Sequence, residues 1–165
     1  MNEIIVTSQE VLDQIPEHYN GKITINFGTE DSKAIIKKDY EFAKIDIIGN
    51  SHVELYMEDY TRVYAYEQSH IDTYKYSYVV AHDRSVIKAY DQSMVDAFDN
   101  SKVYAYCDKF IEAWDKSYIE AYGNCHVYAE EETSHIEAHN NVCVEGINYG
   151  NIICHDNSYI SKKEL

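Results

Sequence analysis

Carboxylates recur along this chain at intervals of eight and sixteen residues. Asp83, Asp91, Asp99 and Asp115 belong to one series, with Glu67, Glu131, Asp156 and Glu164. Glu54, Asp72, Asp96, Glu112, Glu120, Glu137 and Glu145 belong to a second, three residues out of step with the first. Three chemistries are open to such rows. Summed charge attracts a basic partner. Clustered oxygens ligate hard cations. Paired acids perform glycoside hydrolysis. Regular spacing sets no pair apart, and the chain has almost no insertions that would build a cleft. The Gly-Gly-x-Gly-x-Asp repeat of calcium-binding β-rolls is absent. So are a Gly-rich phosphate loop, Gly-x-Ser-x-Gly and a convincing Cys/His dyad. The expectation is a protein without catalytic activity.

Metal ligands are the next candidates. The chain holds eight histidines and four cysteines, Cys107, Cys125, Cys143 and Cys154, with no Cys-x-x-Cys. A structural zinc site takes four ligands in a tetrahedron, and no compact Cys/His spacing supplies them. Neither a metal nor a cofactor is expected.

Charge narrows the partners. The chain of 165 residues carries 29 acidic and 14 basic residues, a formal net charge of -15, and its only arginines are Arg62 and Arg84. A protein that binds nucleic acid directly needs a basic face to release phosphate counterions, so direct binding is disfavoured. The 17 tyrosines argue against disorder. No apolar run is long enough to span a membrane, and no basic segment followed by an apolar one opens the chain. Reduced thiols and a cytoplasmic location are expected, with no membrane partner.

The elements that must position these side chains come from a repeat. From Ser51 the chain falls into 14 octads, beginning at residues 51, 61, 69, 77, 85, 93, 101, 109, 117, 125, 134, 142, 150 and 158. SVIKAYDQ, SMVDAFDN and SKVYAYCD, from Ser85 to Asp108, show the pattern. Asp59 and Tyr60 are extra residues in the first octad, and the octad from Cys125 has one extra. Position three is Val or Ile throughout, position five is alanine in nine octads and position one is serine in nine. Positions one, three and five alternate with polar or aromatic ones, which is the period of a strand. Asp-Asn, Gly-Asn and Asp-Gln pairs follow as turns. The series of acids are the fourth and seventh positions, expected to face solvent or the coil edge.

Fourteen short strands sharing one small inward residue set predict an all-β fold, a β-solenoid. Two octads, about 16 residues, make the simplest closed coil; a triangular coil of three is the alternative. Alternate octads then stack in columns. The sixth position of one face reads Tyr56, Tyr74, Tyr90, Tyr106, Tyr122, His139 and His155, an aromatic ladder. The other face reads Tyr66, His82, Phe98, Trp114, Glu130, Ile147 and Lys163. Residues 1–22 are expected to cap the solenoid and 23–165 to form it, irregularly before residue 51. Ile4–Val6 reads as a strand. Thr7-Ser8-Gln9-Glu10 reads as a capping box before a short helix that ends ahead of Pro16. The last octads replace alanine with Gly146, Cys154 and Lys162 and show no cap, so two copies are expected to meet there as a homodimer.

The octads, with the preceding VTSQEVLDQIPEHYNGKITINFG, resemble a group of uncharacterised octad-repeat proteins common in bacteriophages, prophages and mobile elements. The resemblance covers nearly the whole chain. It implies a β-solenoid acting inside a bacterial host cell and carries no common activity. By analogy only, acidic pentapeptide-repeat solenoids imitate duplex DNA.

From residue 51 there are 20 acids and 9 bases. Seven coils at about 4.8 Å span about 34 Å, and 20 carboxylates over that length approach the duplex density of one charge per about 1.7 Å. The functional expectation is a protein partner with a basic surface, held by Asp83, Asp91, Asp99, Asp115, Asp96, Glu112, Glu120, Glu137 and Glu145. Its concrete form is an inhibitor that mimics nucleic acid against a DNA- or RNA-handling enzyme. Charge reversal at Asp83, Asp91, Asp99 and Asp115 is expected to abolish inhibition and keep the fold. A self-assembling rod or virion component and a glycan-active enzyme are the rivals.

Overall fold

The computed structural model describes residues 2–59, 61–129, 134–146 and 151–162, without the side chains of Cys107 and Lys162. The chain runs β1 (Glu3–Val6), α1 (Gln9–Gln14), β2 (Lys22–Ile25), β3 (Ala34–Ile36), β4 (Lys44–Ile47), β5 (His52–Met57), β6 (Arg62–Ala65), β7 (His70–Lys75), β8 (Tyr78–Ala81) and β9 (Val86–Asp91). It continues through β10 (Met94–Ala97), β11 (Lys102–Cys107), β12 (Phe110–Ala113), β13 (Tyr118–Gly123), β14 (His126–Ala129), β15 (His135–Asn140), β16 (Cys143–Gly146), β17 (Ile152–Cys154) and β18 (Tyr159–Lys162). Even-numbered strands and β1 form a ten-stranded sheet, and the odd-numbered strands from β3 form an eight-stranded one. Every neighbour is parallel. The result is a two-sided β-solenoid of about nine turns with coils roughly 16 residues apart. The triangular coil is excluded.

The register places each octad position on its own copy. Val79, Val95 and Ile111 are neighbours, as are Ala81, Ala97 and Ala113. Position three is fully buried from Val53 to Val144, and so are the position-five alanines. Two facing sheets whose inner residues are mostly Val, Ile, Ala and Ser, with Leu55, Met57 and Thr73 in the first octads, give a thin interior. Serine suits position one because it is small, and at several corners its hydroxyl finds a partner, although those of Ser69, Ser101 and Ser117 are buried without one. Oγ of Ser51, Ser77, Ser85 and Ser93 donates to the carbonyl three residues earlier, at 2.6, 2.8, 2.8 and 2.6 Å. Cys125 replaces serine once, and its sulfur makes the same bond to the Tyr122 carbonyl at 3.1 Å. Gly146 breaks the alanine column because a Cβ there would lie 2.7 Å from the Ala129 carbonyl oxygen.

The slips in the repeat become longer coils. Val53 pairs with Ile71 and Ile119 with Ile136. The coils before residue 51 are longer still, with Ile23 on Ile45 and Ala34 on Val53.

At the N-terminal end, β1 is the outermost strand of the ten-stranded sheet and sits in register on β2. Helix α1 begins at Ser8, whose hydroxyl accepts from the Val11 N–H at 3.4 Å. The capping box led by Thr7 is thereby corrected by one residue. Leu12 and Ile15 are buried in the same core as Val6 and Tyr40. Gln9 closes the open edge of β3. Its Nε2 donates to the Ile35 carbonyl at 2.9 Å, and its Oε1 accepts from the Ile35 N–H at 2.8 Å. The amide side chain thus acts as one more strand residue. Lys38 donates to the Asp13 and Ile15 carbonyls at the other end of the helix.

At the far end, β17 and β18 are outermost. Ile160 occupies the position that is fully buried from Val53 to Val144, yet it is 38% exposed, and Tyr159 is 56% exposed.

Gln9→Ala is expected to lower stability by about 1–3 kcal/mol, the effect of leaving a partly buried amide and carbonyl unpaired. Urea melts of parent and variant measure it. Sedimentation should show concentration-dependent association only in the variant, because the β3 edge is uncovered.

Candidate functional site: an acidic corner beside an aromatic column

The seventh position is the corner at which the chain leaves one sheet for the other. Glu67, Lys75, Asp83, Asp91, Asp99, Asp115, Asn140 and Asp156 all take φ between 51° and 65° there, and Gly49 and Gly123 take 72° and 78°. This left-handed conformation favours Asp, Asn and Gly over other residues. It also turns the N–H away from the sheet ladder, so the donor needs another acceptor. The carboxylate of the next coil supplies it. Gly49 N–H donates to Glu67 Oε2 at 2.8 Å and Glu67 N–H to Asp83 Oδ2 at 2.9 Å. Asp83 N–H donates to Asp99 at 3.1 Å and Asp99 N–H to Asp115 at 3.2 Å. On the opposite corner Lys75 N–H donates to Asp91 at 3.2 Å and Asn140 N–H to Asp156 at 3.4 Å.

The expected row of Asp83, Asp91, Asp99 and Asp115 is therefore two columns. Glu67, Asp83, Asp99 and Asp115 share one corner. Asp91 stands on the other, with Lys75 before it, in register with Cys107 after it. The acids are also structural, so charge reversal removes a backbone acceptor as well as a charge. Glu131 and Glu164 lie outside the described residues.

The fourth-position acids separate in the same way. Asp96, Glu112 and Glu145 lie on the ten-stranded sheet, where Tyr128 stands between Glu112 and Glu145. Glu120 and Glu137 are neighbours on the eight-stranded sheet, where Lys88 and Tyr104 separate them from Asp72. Several are engaged. Asp96 accepts from the Tyr78 hydroxyl, and burial pushes its carboxyl above the usual range. Hydrogen bonds from His135, then Tyr118, hold Glu137 below its usual range. Asp72 is buried, contrary to the expected solvent-facing placement, because Lys33 bridges it to Glu54. The hydrogen bond to Asp72 raises the Lys33 pKa. Lys33 carries no repeat signal, since it lies ahead of the octads.

An aromatic column runs beside the acidic corner. Tyr66, His82, Phe98 and Trp114 immediately precede Glu67, Asp83, Asp99 and Asp115 in sequence. Their rings stack at 5.3, 5.1 and 5.8 Å with interplanar angles of 6°, 16° and 13°. Gln68, Arg84 and Asn100 complete a shallow groove with Glu67, Asp83 and Asp99. Glu130, Ile147 and Lys163, expected in the same sixth-position column, lie outside the described residues. The strip sets carboxylate oxygens beside the edges of a stacked ring column, a surface suited to guanidinium and ammonium groups.

The tyrosine ladder stands on the opposite corner. Tyr56, Tyr74, Tyr90, Tyr106, Tyr122, His139 and His155 stack in sequence at 4.7, 4.9, 5.5, 5.0, 4.7 and 4.6 Å, never more than 13° from parallel. The Tyr56 hydroxyl donates to Glu54 at 3.0 Å, and that of Tyr122 donates to Glu120. Burial, then Glu54, pushes Tyr56 up to about 12; the Glu120 bond, then burial, does the same for Tyr122.

No protein-family model, curated protein or solved structure matches the chain.

Asp99→Ala is expected to cost about 1–3 kcal/mol by stranding the Asp83 N–H. Asp99→Asn keeps both the acceptor and the left-handed tolerance and should remain within about 1 kcal/mol of the parent. Thermal melts of the pair separate the backbone role from the charge. The ladder predicts an alkaline limit. Folded pKa values raised above the unfolded value of about 10 contribute stability that is complete below about pH 10 and lost as pH rises through about 12. Phenolate absorbance and circular dichroism should therefore change together in that window. Ladder phenols that ionise near pH 10 with the fold intact would contradict it.

Proposed function

We propose that this chain is a non-enzymatic binding solenoid whose acidic corner captures a protein through a basic surface. The observation that carries the reading is the column Glu67, Asp83, Asp99 and Asp115, in which each carboxylate is tied to the backbone one coil back. Tied side chains lose little further freedom on binding, so their charge is preorganised. Successive carboxylates repeat with the coil spacing, about 4.8 Å. A basic groove built for a phosphate backbone meets one charge per about 3.4 Å of each DNA strand. The two corners and the two faces spread the remaining acids around the rod, as two strands spread phosphates around a duplex. The adjoining ring column gives the aliphatic stems of Arg and Lys an apolar edge to lie along. An inhibitor that competes with DNA or RNA for a host enzyme is the concrete form of this reading.

A self-assembling rod is the second reading. It is favoured by Tyr159 and Ile160, whose side chains are exposed on the outermost strand.

The decisive experiment captures partners from bacterial lysate at low salt and elutes them with duplex DNA or RNA. A nucleic-acid-binding protein should elute, and binding should weaken steeply with salt. The triple variant Asp83→Asn, Asp99→Asn, Asp115→Asn should melt with the parent yet bind the captured protein at least about ten-fold more weakly, a loss of 1.4 kcal/mol. Equal binding by parent and variant would refute the acidic-corner reading. Concentration-dependent end-to-end assembly without any partner would favour the rod.

A further inference from the structure

We propose that His126, Cys143 and Glu145 bind one divalent transition-metal ion of the zinc class and leave one coordination position open. The three residues lie on the outer face of the ten-stranded sheet, apart from the acidic corner. The proposal does not depend on the corner's function.

Register brings them together. Strand β14 pairs with β16 so that His126 stands opposite Cys143. Glu145 follows Cys143 by two residues, and the strand period of two puts it on the same face. One donor atom from each residue lies within 4.8 Å of both others. His126 Nε2 is 3.5 Å from Glu145 Oε2. An ion held tetrahedrally at usual zinc–nitrogen and zinc–oxygen lengths needs these atoms about 3.4 Å apart. That edge of the tetrahedron is already in place, and the sulfur lies within 4.8 Å of both atoms.

The neighbouring coils support the same site. Phe110, one coil before, packs on the His126 ring at 5.0 Å and 47° and limits its rotation. Tyr159, one coil after, stands in register on Cys143. All three ligands are half-buried, so each has already shed part of its hydration. One thiolate, one carboxylate and one neutral imidazole balance a divalent ion. Thiolate with imidazole selects zinc-like ions over magnesium and calcium.

A second group, Glu137, His139 and His155, also has its donors within 4.8 Å. Its two imidazoles stack 4.6 Å apart and 6° from parallel. Ring nitrogen lone pairs lie in the ring plane, and parallel planes do not converge on one ion. These rings extend the tyrosine ladder.

The test titrates cobalt(II) into the reduced, metal-stripped full chain. One equivalent should produce a thiolate-to-cobalt charge-transfer band in the near ultraviolet, and zinc should abolish it by displacement. Cys143→Ser should remove the band. His126→Ala should weaken binding by more than the 10–100-fold typical of changes outside the ligand set. His155→Ala should bind like the parent. Zinc should raise the melting temperature of the parent and leave that of Cys143→Ser unchanged. Matching metal-free melting temperatures establish that the variants fold. The proposal fails if no charge-transfer band forms, if the band survives Cys143→Ser, or if His155→Ala loses the ion while His126→Ala keeps it.

Discussion

Parallel stacking at a fixed step sets every other feature of this molecule. When hydrogen-bonded strands run parallel and recur every 16 residues, each side chain lies directly above its own counterpart. Like must then pack on like at about 4.8 Å. Inside the coil this demands residues that tolerate self-stacking in a thin space, and Val, Ile, Ala and Ser satisfy it. Outside, it produces the tyrosine ladder. At the corners it stacks carboxylate on carboxylate, an arrangement that repulsion alone would disfavour. The left-handed corner resolves the conflict because it presents an N–H that has lost its ladder partner. Each acid binds the N–H one coil away, and the repulsion between acids is offset by a charge-assisted bond at each step.

The same stacking creates two open ends, and the N-terminal one is closed with specific chemistry. The Gln9 amide supplies the donor and acceptor that a further strand would have supplied to β3. Helix α1 places Leu12 and Ile15 over the interior, while Lys38 takes up the carbonyls at its end. A helix of six residues has little stability of its own. It holds because its apolar side chains complete a core whose strands would otherwise end on solvent.

Charge is distributed less uniformly than the composition implies. Near the N-terminal coils, Lys33 joins Glu54 and Asp72, and Lys22 joins Glu3 and Asp46. Those four acids are matched by lysine. Along the Glu67–Asp115 corner the carboxylates meet backbone N–H groups instead, which fix their geometry without cancelling their charge. Glu67, Asp83 and Asp99 line the groove, with His82 3.4 Å from Asp99, and this backbone-held row makes the corner the candidate site.

The strand period, the octads and the β-branched third position made the solenoid, its 16-residue coil and the tyrosine ladder legible in the sequence alone, because repeat spacing and side-chain alternation are local properties. The capping helix was legible for the same reason, with its cap displaced by one residue. The acidic series were visible as residues but not as a surface. Eight-residue spacing is the period of the sequence, whereas 16 is the period of the stack, so Asp91 left the column of Asp83, Asp99 and Asp115. Nor does the sequence reveal that a corner acid serves a backbone donor, since the unpaired N–H exists only once the chain has turned. Lys33 reaches Asp72 from 39 residues away, and His126 meets Cys143 and Glu145 across a coil with one inserted residue. Residue types and local periods determined the architecture of this protein. Which carboxylates meet a lysine, a tyrosine or a backbone N–H was decided only by the register and the corners of the folded coils.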